Sequence, residues 1–581
     1  NDPTNAGIDW ALLCKGGASC GSLKPLHTTS GTATTYTPPQ SISGNSATVT
    51  VEAFATANHD SNAVTSLTVT GFASSLKGNY VFATRGEDSN GTSYQVAGVI
   101  VLDGNGNVTA GEQTFSDAVF SVSDAITGGS YYIGPDGRGT ITLNTADQNI
   151  GQQGIENLAL VFLSSSEALV QTLDNPNLAL FSNELSFGTL ELQTSKAPPT
   201  GGYAFVADGF DVNLTSMAMG GILNIDSPNS ISGNGSITDE DDAATGITEN
   251  ATVSGSLTSP DSFGSFKLNL TTGFAPSLQF TAYIVDSSHV KLVESDINGT
   301  GGGFGATSGI AIGQGIATGT FTGNSSFAGT YVFHVEGQDP SGLPISLASA
   351  GQFSADSNGN LNSGYDNEVL SAFGGAVSDS LTGTYTLSAG GIGRVDSFVN
   401  FSVSGAGPEL IFYLTGNGNP ILVLDADDNT NSIAVGSIGS GAALAQSVPP
   451  FSFNGKYGVE LASVNSQSQD TATGQIVANA SSSSITEGEI DTNVGFQLSF
   501  VPGQTNPTSL SGAFGAPAAS GRFTGTLSNT YFPATTSGVI SGAFYPVTSG
   551  LVYFIETDFV SSGQSTFGFL MSRTPVCPTC E

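Results

Sequence analysis

The chain has 581 residues, too many for one hydrophobic core and enough for four or five domains. Only 10% of them are charged, yet acids outnumber bases 48 to 12 and the net charge is −36, a balance that repels phosphate backbones and excludes nucleic-acid binding as the role. With 38% hydrophobic residues, 35 Phe and 15 Tyr, the composition suits packed cores rather than disorder, and no apolar run nears the roughly 20 residues of a membrane-spanning helix.

Residues 1–72 differ in character from the rest of the chain. They hold Trp10, the only tryptophan, then Cys14, Cys20, Tyr36, Pro38 and Pro39. The runs Ser46–Phe54 and Ala63–Thr70 alternate with period two, the pattern of half-buried strands. This segment resembles bacterial Ig-like domains of surface proteins. The resemblance rests on the strand tryptophan at Trp10, the short cysteine pair, the Thr-Tyr-Thr-Pro-Pro stretch at Thr35–Pro39 and the last alternating strand. It implies an incomplete sandwich, because such domains place two more strands ahead of the tryptophan strand and this chain starts at Asn1. Asn1 opens no signal peptide, so a leader already removed or a later cut is expected.

The four cysteines form two local pairs, Cys14 with Cys20 and Cys577 with Cys580. Such spacing at both ends predicts disulfide clips in an exported protein. For Cys577 and Cys580 a bond to another subunit is the alternative. Haem attachment would need a histidine where Glu581 stands.

From residue 76 onward one pattern occurs four times. Gly78-Asn79-Tyr80, Gly201-Gly202-Tyr203, Gly329-Thr330-Tyr331 and Gly455-Lys456-Tyr457 each open a strand-like run, with the tyrosines 123, 128 and 126 residues apart. A second landmark, a glycine-started strand, begins at Gly98, Gly221, Gly351 and Gly474, and a third at Gly129, Gly255, Gly383 and Gly512. A fourth is an apolar strand pair that reaches an acidic end, at Asp174, at Glu294 and Asp296, at Asp425, and at Glu556 and Asp558. Repetition on this scale means tandem folding units, each owning a core. Short turns between strands make neighbours antiparallel, and a meander of eight to ten strands loses its edges by curling shut. The expected fold class is all-β: an incomplete Ig-like sandwich followed by four tandem antiparallel β-barrel or sandwich repeats. The boundaries fall at 1–72, 76–198, 199–325, 326–449 and 450–576, with a cysteine-containing tail at 577–581. The repeats also resemble those of large exported proteins of environmental bacteria, which implies export and no particular activity. Short Pro-containing junctions at Lys196–Thr200 and Ala445–Pro450 predict a semi-rigid rod of barrels.

Several motifs have plain readings. Gly17-Ala18-Ser19-Cys20-Gly21 matches a nucleophile elbow in form, but no helix follows it, and a turn is expected. His27, His59, His289 and His334 are dispersed and read as ordinary surface or strand residues. Asp103–Asn107 and Asp356–Asn360 place oxygens at alternate positions as calcium loops do, but Val108 and Leu361 stand where glycine is wanted, and hairpin turns are expected. Asp239–Asp242 reads as a solvated acidic loop. No catalytic, cofactor-binding or metal-binding residue is assigned, no cofactor is expected, and the chain is read as a non-enzyme.

The leading expectation is a structural subunit of an extracellular bacterial filament or surface assembly. Its subunits would join head to tail, through strand complementation of the incomplete Ig-like domain. The run Ser565–Met571 is one candidate donor strand, with closure of the last barrel as its alternative use, and a segment upstream of Asn1 is another donor. The alternative function is a monomeric cell-surface adhesin or glycan-binding protein, with a glycan as its partner.

Overall fold

Each Gly-x-Tyr landmark opens the first strand of an eight-stranded antiparallel barrel. The computed structural model describes residues 6–14, 21–37, 46–70, 76–88, 93–117, 121–134, 137–151, 153–173, 184–211, 215–227, 229–274, 278–296, 305–339, 345–370, 375–402, 405–416, 418–426, 437–447, 451–464, 469–494, 497–498, 508–528, 538–558 and 565–574. Barrel 1 runs from strand Lys77–Asp88 to strand Glu184–Leu192, and barrel 2 from Gly201–Phe210 to Ala306–Gly313. Barrel 3 runs from Gly329–Asp339 to Ile438–Ala445, and barrel 4 from Gly455–Val464 to Ser565–Ser572. In all four, strands pair in chain order and the eighth pairs back to the first. The closing pairs are Leu190 with Phe82, Ala311 with Phe205, Ala443 with Phe333 and Leu570 with Val459. This is the all-β, up-and-down barrel architecture that the repeats predict. In barrel 2 the fourth strand breaks at Val253 into Gly246–Thr252 and Ser254–Leu257, both paired to the third strand, Ser230–Asp242.

The landmarks have packing reasons. Tyr80, Tyr203 and Tyr457 are buried, and each donates its hydroxyl to a carbonyl in the turn between the sixth and seventh strands, at Ser165, Ser287 and Ser549. Each tyrosine thus plugs one barrel end without stranding its polar tip. Two residues on, Phe82, Phe205 and Phe333 point into the cores. The second-landmark glycine makes room for that ring: a Cβ on Gly98 would lie 2.7 Å from Phe82, on Gly221 2.9 Å from Phe205 and on Gly351 2.5 Å from Phe333. The barrel interiors are filled by such side chains.

Outward residues overturn the expected rod. The first two strands of barrels 1, 2 and 3 carry small or β-branched residues outside, and these meet the sixth and seventh strands of the next barrel. Val81, Ala97 and Val99 of barrel 1 pack on Tyr283, Val285 and Val293 of barrel 2. Ala204, Val206 and Ile222 of barrel 2 pack on Ile411, Tyr413 and Leu424 of barrel 3. Val332, Ala348 and Ala350 of barrel 3 pack on Tyr545, Tyr553 and Ile555 of barrel 4. Barrel 4 then returns to barrel 1, where Phe569 and Met571 cover Val161, Leu163 and Leu169. Thr574 N–H donates to the Leu163 carbonyl at 2.9 Å and Arg573 Nε to Phe162 at 3.1 Å. A head-to-tail contact whose rotation closes gives a ring. Here the ring forms within one chain, because every barrel presents outward apolar residues to the next.

The N-terminal module is separate in character. Its four-stranded sheet has the order His27–Thr28, Ile8–Cys14, Ser46–Ala55, Asn58–Thr70, beside a two-stranded ribbon of Ser22–Lys24 with Thr35–Thr37. Its buried residues are few, chiefly Leu23, Val49 and Val51. Cys14 ends a strand, whereas its side chain and Cys20, Cys577 and Cys580 lie outside the described residues, as do both expected disulfides and Ala18, Ser19 and Cys20 of the elbow-like stretch.

Candidate functional site: ring axis, seams and the open sheet edge

Five residues beyond the landmark tyrosine, the first strand carries Arg85 in barrel 1, Asp208 in barrel 2 and Glu336 in barrel 3. These equivalent positions converge on the ring axis. Arg85 Nη1 lies 3.1 Å from Asp208, and its Nη2 pairs with Glu336 across the ring. Asp208 also accepts from Ser440 at 2.5 Å. Burial pushes Asp208 up against the pull of Arg85. Glu460 of barrel 4 faces the same centre. Burial and the charge of Glu336 hold its carboxyl well above the usual range, and its Oε2 is buried without a hydrogen-bond partner. A cavity of roughly 100 Å³ sits on the axis, walled by Phe187, Phe210 and Phe567 as well as Arg85, Asp208 and Glu336.

The seams repeat one polar device. In the 1–2, 2–3 and 3–4 seams a tyrosine on the sixth strand of the following barrel reaches the third strand of the barrel before it. Tyr283 meets Thr114 at 2.8 Å, Tyr413 meets Asp239 at 2.7 Å and Tyr545 meets Asn367 at 2.6 Å. In three seams an arginine stands at the start of the fifth strand, beside the tyrosine in the 2–3 and 3–4 seams and opposite Val161 in the 4–1 seam. Arg394 Nε lies 2.9 Å from Asp239 and its Nη2 2.8 Å from Glu249. Arg522 bonds Asn367 at 2.9 Å and stacks on Tyr365. Arg138 lies 3.0 Å from Glu489 and 3.4 Å from Asp491. Paired, hydrogen-bonded guanidinium groups fix geometry as well as charge.

This corrects the reading of Asp239–Asp242 as a solvated loop. All four residues are buried on the third strand of barrel 2. Asp239 faces outward into the seam. Glu240 and Asp242 pair with Met219 and Met217, which belong to the barrel core, so they face inward, and burial lifts Glu240 to about 8. The acidic strand ends at Glu294, Asp425 and Glu556 are buried too, whereas Asp174 lies outside the described residues.

Other predicted positions stand as follows. Asp103 and Asp356 accept the backbone N–H groups of Asn105 and Asn107, and of Asn358 and Asn360, so both serve as hairpin-turn caps. The histidines are less dispersed than expected. His27 and His59 converge on Asp9, at 2.7 and 2.9 Å, and His289 pairs with Glu191 at 3.2 Å. Among the described residues, Glu249, Asp396 and Glu409 are the carboxylates close enough to share a cation, and Arg394 already stands among them. Ser565–Ser572 closes barrel 4 by pairing with Gly455–Val464, so it takes that use rather than the donor role.

Sequence reasoning missed Arg85, Arg138, Arg394 and Arg522. A signal existed: with 12 basic residues in the whole chain, three arginines recur near the start of a fifth strand.

The N-terminal sheet offers the opposite geometry. Strand Asn58–Thr70 pairs with Ser46–Ala55 on one side and with no described strand on the other. Asn58 through Ser66 are exposed, Val64 at 55% and, two strands away on Ile8–Cys14, Leu13 at 52%. Among the described residues no helix is long and apolar enough to cross a membrane.

No family model matches the chain, and no curated protein does. Among solved structures, a mutant of the vaccine antigen Transferrin Binding Protein B from Haemophilus parasuis Hp5 aligns at 9% identity over 70% of this chain and 84% of that one, with a TM-score of 0.19. Intact Ap-TbpB, with its N and C lobes, aligns at 8% identity over 74% and 86%, with a TM-score of 0.16. Similarity at these scores carries no argument about this chain.

Proposed function

We propose that the chain is a non-catalytic structural subunit of an extracellular bacterial surface assembly, in its fullest form a filament. The ring is the rigid body of the subunit and the N-terminal sheet is its joint. The observation that carries this reading is the outer edge of strand Asn58–Thr70, a row of backbone groups with no described neighbour. An open edge is a template for a strand from another chain. The barrels offer no such edge, since each is closed and its seam faces are used within the ring. The resemblance of residues 1–72 to bacterial Ig-like domains of surface proteins supports the same joint, and the acidic, lysine-poor composition supports export. Electron microscopy of native material, with mass analysis of its N-terminus, tests the reading. Filaments or arrays in which a neighbouring chain pairs along Asn58–Thr70 are the expected result. Dispersed monomers, in which a longer N-terminus of the same chain covers that edge, would overturn it.

A further inference from the structure

The seam between barrels 1 and 2 lacks the part that the other three share. The fifth-strand position that faces the sixth-strand seam residue is Arg394 opposite Tyr413 in barrel 3 and Arg138 opposite Val161 in barrel 1. In barrel 4 it is Arg522, just before Phe523, with Nε 3.1 Å from the Tyr545 hydroxyl. In barrel 2 the residue opposite Tyr283 is Ser265. The receiving side is nevertheless equipped. Glu112 occupies, on the third strand of barrel 1, the register point that Glu489 occupies in barrel 4 and Tyr365 in barrel 3. Glu489 pairs with Arg138 and Tyr365 lies under Arg522. In barrel 2 that point is Ile237, and Glu249 on the adjoining strand supplies the acid for Arg394.

With serine where the others have arginine, a cavity of roughly 480 Å³ lies between barrels 1 and 2. Glu112, Asp124, Asp261, Lys267, Phe263 and Tyr283 line it. Oε1 of Glu112 is buried there without a hydrogen-bond partner. The nearest amine, Lys267, turns its Nζ to Thr281 at 2.5 Å and Ser295 at 3.3 Å on its own barrel. We propose that this cavity binds a guanidinium group carried on an alkyl stem, a ligand that takes the place of the missing arginine side chain. Glu112 and Asp261 would pair with the guanidinium, and Phe263 and Tyr283 would flank it, as Tyr365 and Tyr545 flank the guanidinium of Arg522 in the complete seam. The same chemistry could come from a free alkylguanidine or from an arginine side chain of a peptide.

The acid is poised for such a partner. Burial and the neighbouring Asp261 push Glu112 up to about 7, against Ser265 and Lys267. A bound cation favours the ionised form, so binding expels a proton and tightens as pH rises from about 6 to 8.

Calorimetric titration of the full chain tests the proposal, using agmatine, acetylated agmatine, the neutral urea analogue of acetylated agmatine (4-acetamidobutylurea) and an acetyl-Gly-Arg-Gly amide. The expected result is that the guanidines bind at least about tenfold more tightly than the urea. Agmatine binding alone points to a small-molecule ligand, and peptide binding to a polypeptide one. S265R should abolish binding and raise the melting temperature by filling its own seam. E112Q should weaken binding about tenfold or more and remove its pH dependence, and it serves as the test if S265R fails to fold. Equal affinity for urea and guanidine, no heat with any probe at millimolar concentration, or binding unaffected by E112Q would overturn the proposal.

Discussion

The N-terminal sheet and the barrel ring are made from the same kinds of residue and reach opposite ends of one design problem. Both are antiparallel strands rich in Val, Thr, Ser and Ala, with period-two alternation. In the ring, every first strand has an eighth to pair with, and most outward apolar residues find a neighbouring barrel. In the sheet, strand Asn58–Thr70 is as long as any in the barrels, yet Asn58 through Ser66 are exposed on both faces. Alternation therefore decides that strands form, and only the presence of a partner decides whether they are sealed. A module left open is either weak or waiting for another chain.

Trp10 lies in the sheet and is the only tryptophan, so its fluorescence reports the sheet alone, while circular dichroism is dominated by the ring. Arg394→Ala should cut deepest into the contrast. It leaves Asp239 buried and its charge unmatched, at a cost of about 3–5 kcal/mol to the ring, while the Trp10 transition stays in place. A common shift of both signals would mean that the two regions fold as one. Tyr413→Phe removes one buried hydrogen bond to Asp239 and leaves Arg394, so a loss of about 1–2 kcal/mol is expected by urea unfolding.

A pH scan sharpens the comparison further. Burial lifts Glu240 and Glu409 to about 8 and Glu556 to about 7. These groups keep their protons in the fold to higher pH than in the unfolded chain. The stability they contribute is present below their unfolded value and is lost as pH climbs through about 4.5 to 8. The ring should thus melt several degrees lower at pH 8 than at pH 5. The sheet has the opposite sign, because hydrogen bonds from His27 and His59 hold Asp9 below its ordinary range and that gain disappears in acid. Trp10 fluorescence should report loss of the sheet on acidification, and identical pH profiles for the two probes would contradict this. The smallest stability effect is expected for Val64→Lys, within about 0.5 kcal/mol for the isolated chain, because Val64 is exposed. It should nonetheless suppress assembly seen by electron microscopy or sedimentation, since a charged edge resists pairing.

Much of the barrel construction was legible in the sequence. Tyr80, Tyr203, Tyr331 and Tyr457 mark where each barrel starts, because a plug must be large, apolar and able to end in a hydroxyl. Gly98, Gly221 and Gly351 mark where the second strand passes over an aromatic ring. The ring itself was not legible. Val81, Ile222 and Ala350 look like any strand residue, and nothing local distinguishes a face covered by another barrel from one covered by water. The acidic run was misread for the same reason. Asp239 is neutralised by Arg394, 155 residues later, and no short-range pattern reveals a partner at that distance. The seam arginines were visible only as a recurrence across repeats.

The stitch between Thr574 and Leu163 changes how the chain would carry mechanical load. In a linear string of modules, tension passes through each in series, and the feeblest one unravels first. Here the first and last barrels are fastened together, so a pull between residues 76 and 574 meets that fastening before it reaches any barrel. The seam of Phe569 and Met571 with Val161 and Leu163 would part first, like a clasp, and the four barrels would swing open intact.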